Sequence, residues 1–243
     1  MARPVSRPRH AMDAPLPRDR RSSGGRILRG LVGLLGELLV TAGAVVLLFV
    51  GWQLWWTDVV SDADAATVVT SMEADPATWV QPKRVKLGDA FAIVRIPRFG
   101  ASFARPLYEG TTRDVLARGV GHYVHTALPG EVGNFAMAGH RTTYGKPFNR
   151  IAELRAGDVV LVETGQWYFV YRVSGHEIVA PTQSSVLLPV PNQPDVMATT
   201  AVLTMTSCHP EYSARQRYVV HAVLEAKYPR AQGVPASVLE VAG

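Results

Sequence analysis

The chain has 243 residues, 47% apolar and 19% charged, with a net charge of +5. That length holds one ordinary domain plus a tail or an anchor. Its single cysteine excludes an intramolecular disulfide framework and any cysteine-cluster metal site.

Residues 1–29 are rich in Pro, Ser and Arg and carry no apolar periodicity, so a disordered basic tail is expected there. The basic excess of the whole chain sits in this leader, with Arg18, Arg20, Arg21, Arg26 and Arg29 against Asp13 and Asp19. A nucleic-acid binder would carry its basic residues on the folded part, so no nucleic-acid partner is expected. Residues 30–56 read as a transmembrane signal-anchor. The run Leu31 to Trp55 is broken by one charge, Glu37, and exceeds the roughly 20 apolar residues that a bilayer needs. Trp52, Trp55 and Trp56 gather at its end, as aromatic residues do at a membrane interface. Arginines before the run and acids after it put the N-terminus in the cytoplasm and the rest outside, in the cell membrane as a single-pass protein. A cleaved signal peptide is the competing reading. It would have a shorter apolar core and a small-residue cleavage site.

Residues 57–86 are acidic, Ala- and Thr-rich and broken by Pro76 and Pro82, and are expected to be an extracytoplasmic linker. A compact domain follows over residues 87–243. Strand-like runs occur at Ala90 to Ile96, Asn134 to Ala138, Asp158 to Glu163, Gln166 to Val173, Thr200 to Thr206 and Arg217 to Glu225. Thr164-Gly165 reads as a hairpin turn between the third and fourth. Short helices are expected at Thr112 to Arg118 and Asn149 to Arg155. Many short strands with few helices imply a mainly β fold that closes, or nearly closes, into a barrel.

Three residue types stand at strand ends. His140 follows a strand in AGHRTTYG, Cys208 follows one in VLTMTSCHP, and Arg217 opens the strand after that. A thiolate is a nucleophile that a nearby cation favours. A histidine can give a proton to a leaving amine and accept one from an incoming amine. A guanidinium can donate hydrogen bonds to a developing oxyanion while staying charged. His209 adjoins Cys208, but successive strand residues face opposite ways, which makes it a neighbour rather than the working base. Arg215 is two residues from Arg217 and shares its face; only the strand-opening position favours Arg217. Loop or structural roles are expected for His122 and His125.

These motifs resemble the sortase family, and within it the class E sortases of high-GC Gram-positive bacteria. The family's T-L-x-T-C strand is matched by Thr204-Met205-Thr206-Ser207-Cys208, the following arginine by Arg217, and the histidine motif by Ala138-Gly139-His140-Arg141. SARQR before the last strand and the extension TTYGKPF also resemble that class, over about residues 87–228. Met205 replaces the usual Leu, a volume-conserving swap. Ser207 stands where many members have Thr, which is expected to tune substrate fit.

The resemblance implies a closed eight-stranded barrel. It implies a cysteine transpeptidase in which Cys208 cleaves a sorting signal of the LAxTG type between Thr and Gly. A thioester is then resolved by an amine of a cell-wall precursor, a lipid-linked peptidoglycan. His140 would be acid and base, Arg217 the oxyanion and substrate-positioning group, and Thr206 a substrate-pocket hydroxyl. Partners would be surface proteins bearing sorting signals. No cofactor or metal is implied, since there is no acidic cluster of the calcium-stimulated kind, and a monomer is expected. Two rivals stand beside this reading. One is an L,D-transpeptidase, whose Gly before the cysteine and close downstream arginine are missing here. The other is a membrane-tethered domain that binds wall polymers, with Cys208 inert.

Overall fold

The structure, a computed structural model, describes residues 23–239. The basic tail expected over 1–29 lies outside the described residues as far as residue 22. The chain divides into two compact units, Met1–Gly51 and Trp52–Gly243.

In the first unit the chain is helical from Ser23, at the start of α1 (Ser23–Ala74). This helix is long and apolar enough to cross a membrane. Leu31, Leu34, Leu38, Val45 and Leu48 are all exposed, so this surface joins no protein core among the described residues.

The second unit begins with the remainder of α1. Helix continues to Ala74 across much of the stretch expected as a linker. The physical reason is an apolar stripe that the acidic composition conceals. Ala65, Val69 and Met72 recur at helical spacing and are all buried. Val69 and Met72 pack with Trp79 and Ile93 of the domain behind them. Pro76 lies just past the helix end, where its ring cannot clash with a preceding turn.

Eight strands close into a barrel: β1 (Ala90–Arg95), β2 (Arg105–Glu109), β3 (Val120–His122), β4 (Gly133–Ala138), β5 (Val159–Glu163), β6 (Trp167–Val179), β7 (Ala201–His209) and β8 (Gln216–Pro229). The order around the barrel is β1-β2-β3-β4-β7-β8-β6-β5. Closure removes the sheet edges that an open sheet would expose. The β5–β6 hairpin turns where Thr164-Gly165 indicated, with Glu163 opposite Tyr168. Two strands carry no readable signal in the sequence. Pro106 interrupts β2, and β3 has three residues. They pair in parallel, Leu107 with Val120 and Glu109 with His122, across the single turn of α2 (Arg113–Leu116). The second expected helix is only a 3-10 turn, Ile151–Glu153. Phe148, Ile151 and Leu154 are buried at a spacing of three, which suits that tighter helix.

The core fills the barrel interior. Phe135 and Met137 from β4, Leu203 and Met205 from β7, and Tyr218, Val220 and Ala222 from β8 belong to one buried cluster. Alternation therefore turns Thr204, Thr206 and Cys208 of β7 to the outer face of the wall. The segment between β6 and β7 covers part of that face. Nδ2 of Asn134 donates to the carbonyls of Val186 and Leu188, at 2.9 and 3.0 Å. Val186 packs with Val179 and Val219.

Candidate active site

The nucleophile candidate and the histidine reach the same place through strand register. β4 and β7 run parallel, with Ala138 opposite Thr206. His140 and Cys208 each stand two residues beyond that pair, so both emerge at the same end of adjacent strands. β7 and β8 run antiparallel, and Cys208 is directly opposite Arg217. Paired residues share a face and lie close. His140, Cys208 and Arg217 line one pocket of about 300 Å³, together with Thr206, Ser207 and Tyr123. The pocket lies on the outer face of the wall, not over the barrel's open end, because the inner positions of β7 and β8 are filled by the core.

Cys208 is a free, half-buried thiol. The surrounding backbone is tied down on both sides. Ser207 Oγ donates to the carbonyl of Gly139 at 2.8 Å, joining the strand of the thiol to the chain that carries His140. Ser207, expected only to tune substrate fit, thus links the two strands as well as lining the pocket. Gly139 tolerates no side chain, since a Cβ there would meet the Phe148 ring at 2.7 Å. Arg141 is buried and donates from Nη1 to the carbonyl of Cys208 at 3.2 Å.

Burial, and after it the charge of Arg113, hold the His140 imidazole below the usual histidine range. The neutral form therefore prevails near neutral pH. Its Nε2 is buried and makes no hydrogen bond among the described residues. A buried polar atom without a partner is uncommon in a settled core. The Tyr144 ring lies 5.1 Å from the imidazole, centroid to centroid. Tyr144 is in turn hydrogen-bonded to Arg113, which raises the affinity of that guanidinium for its proton.

Arg217 is anchored by its own turn, with Nη1 donating to the carbonyls of Ala214 and Gln216 at 2.9 and 3.0 Å. Arg215, its rival in the sequence, is exposed and does not line the pocket. Thr206 does line it, but its Oγ1 is engaged with the Tyr123 hydroxyl at 2.9 Å. His209 faces away from Cys208, with Nδ1 3.1 Å from Nη1 of Arg141 and its ring near Tyr218. His122 is a core residue. Its Nδ1 meets Glu109 Oε2 at 2.7 Å, and its Nε2 lies 3.0 Å from Thr126 Oγ1. Sequence reasoning missed Tyr123, Arg113 and Arg141. Arg141 could have been suspected from its place beside His140; the other two come from distant segments and have no local signal.

The sortase domain profile matches residues 94–225, more than half of the chain and the whole of this site. The chain belongs to the sortase family. Sortase SrtE1 of Streptomyces coelicolor is 38% identical over 213 residues, which cover 83% of this chain and 59% of that relative. The chain thus spans less than two thirds of SrtE1's length. Sortase E from Streptomyces avermitilis superposes with a TM-score of 0.58 at 39% identity, covering 64% of this chain and 99% of that structure. Sortase E1 from Streptomyces coelicolor, solved with a tripeptide in the active site, gives a TM-score of 0.57 at 35% identity, covering 62% and 97%. The resemblance to class E is therefore real at the level of the whole domain, and the closed eight-stranded barrel of this sortase is the family's fold.

Proposed function

We propose that this class E sortase is a membrane-anchored cysteine transpeptidase, with Cys208 as nucleophile, His140 as acid and base, and Arg217 as the oxyanion and substrate-positioning group. The observation that carries this reading is the register: Cys208 sits opposite Arg217 and at the same strand end as His140. The tripeptide in the active site of the related sortase E1 supports a peptide substrate here.

The chemistry runs as follows. Neutral His140 takes the proton of the Cys208 thiol as the sulfur attacks the carbonyl carbon of the sorting signal's Thr, in an LAxTG-like sequence. The carbonyl oxygen becomes an oxyanion, to which the Arg217 guanidinium donates hydrogen bonds. The C–N bond to Gly breaks, and the His140 imidazolium protonates the leaving amine. A thioester on Cys208 remains. An amine of a lipid-linked cell-wall precursor then attacks it while His140 accepts the amine's proton, and the sulfur departs and regains a proton. The hydroxyls of Thr206 and Tyr123 form the pocket wall against the sorting signal. The apolar helix holds the enzyme in the membrane with its N-terminus in the cytoplasm and the barrel outside, where surface proteins and wall precursors meet. It acts as a monomer.

Cleavage of an LAxTG peptide by the full-length chain is the test. Cys208→Ala, His140→Ala and Arg217→Ala should each lower turnover by at least about a hundredfold, as loss of a transition-state group does. Retained turnover in any one removes that residue from the mechanism. Absence of turnover in the unmodified chain favours the wall-binding reading.

A further inference from the structure

The loop that follows His140 is held from outside the barrel. Tyr144, Gly145 and Lys146 have φ of 54°, 68° and 35°, three successive residues in the left-handed region. Only glycine adopts that region freely, so Tyr144 and Lys146 must be held there by their surroundings. The holder is the end of α1. Oδ1 of Asp58 accepts from the Gly145 N–H at 3.1 Å, and its Oδ2 pairs with Lys146 Nζ at 2.8 Å. One turn on, Oδ1 of Asp62 accepts from Arg105 at 2.7 Å, and the same Arg105 nitrogen donates to the Gly145 carbonyl at 3.2 Å. The approach is close enough that a Cβ on Gly145 would lie 2.7 Å from Oδ1 of Asp62. Within the loop, Phe148 N–H closes back on the His140 carbonyl at 3.0 Å, so the strained turn and the imidazole belong to one short closed segment. Tyr144 is the point of contact between them.

We propose that Asp58, supported by Asp62, is a positioning residue for His140: it clamps the Tyr144–Gly145–Lys146 turn from α1 and so keeps the Tyr144 ring against the imidazole. This rests on the reading of His140 as acid and base. The charged or titratable groups around that imidazole are Arg113 from α2, Tyr144 from its own loop, Tyr123, and Cys208 and Arg217 from β7 and β8. Asp58 reaches it only through the loop.

The experiment compares full-length variants in detergent micelles on an LAxTG peptide, reading kcat, KM, the pH profile and the thermal midpoint. Asp58→Ala should lower kcat by about tenfold or more with KM within about twofold, since a shift of about 1 Å in an acid–base group can cost up to a hundredfold. The limb of the profile that reports His140 should move to higher pH, because a released loop exposes the imidazole to water and favours its charged form. Asp58→Asn keeps an acceptor for the Gly145 N–H and should restore kcat to within about threefold, the half-exposed Lys146 pair contributing little. Glu73→Ala breaks another ion pair of the same helix, to Arg95, without touching the loop, and should leave kcat unchanged. If Asp58→Ala unfolds below the assay temperature, Gly145→Ala, whose Cβ would crowd Asp62, disturbs the docking of the same turn on α1 from the loop side and should reproduce the kinetic loss. Unchanged kcat and pH profile in Asp58→Ala, with His140→Ala inactive, overturns the clamp alone. Equal losses in Asp58→Ala and Glu73→Ala also overturn it, by assigning the effect to helix docking in general. An active His140→Ala overturns the reading of the site beneath it.

Discussion

His140 is a histidine whose charge is suppressed by its surroundings, and each contributor can be named. Burial is the larger, and the Arg113 guanidinium is the second. A neighbouring cation disfavours imidazolium, so removing it must raise the pKa. Arg113→Met should therefore move the acid limb of kcat/KM, which reports the base in the free enzyme, to higher pH. An unmoved limb, or one moved to lower pH, would break the link between Arg113 and the histidine. At this scale the sequence named three residues that the fold brings to one pocket and was silent about their partners. The AGHR and TSC motifs carry His140 and Cys208 on their face. Arg113 and Tyr123 are linked to them only through space, and spacing along a chain holds no trace of such contacts.

The elements act by register. Parallel pairing of β4 with β7, and antiparallel pairing of β7 with β8, puts three separated motifs on one outer patch. Ser207 Oγ on the Gly139 carbonyl pins that register at the point of use. Ser207→Ala leaves this buried carbonyl without that donor, which should lower unfolding stability by about 1–3 kcal/mol in a denaturant titration. A loss of only a few tenths would mean that register is held by the ladder alone. Six of the strands were legible because each carries a run of three or more consecutive apolar residues. β2 and β3 were not, since Pro106 and three-residue length defeat any periodic signal. The end of α1 was concealed for another reason. Asp58, Asp62, Asp64 and Glu73 make residues 57–74 look solvated, while Ala65, Val69 and Met72 form a narrow buried stripe between them. Three of these acids, Asp58, Asp62 and Glu73, are the ones that dock the helix, through Lys146, Arg105 and Arg95.

In the whole molecule, a single helix carries both the apolar stretch and, nearer its C-terminal end, the carboxylates that meet the loop after His140. The chain belongs to the sortase family and carries, among the described residues, one helix long and apolar enough to cross a membrane, and the proposed membrane-anchored transpeptidase rests on these two findings. The proposed catalytic reading is favoured over a wall-binding domain by the half-buried thiol opposite an arginine and by the histidine whose buried Nε2 has no hydrogen-bond partner among the described residues. Because Cys208 is the chain's only cysteine, a covalent intermediate can form on sulfur at one position alone. The decisive measurement is mass spectrometry of the full-length protein quenched in acid during turnover of an LAxTG peptide. The account predicts an acyl group ending at the peptide's Thr, attached to Cys208 and discharged by an added amine. Turnover of the peptide without any adduct on Cys208, or with the adduct on another residue, would contradict it.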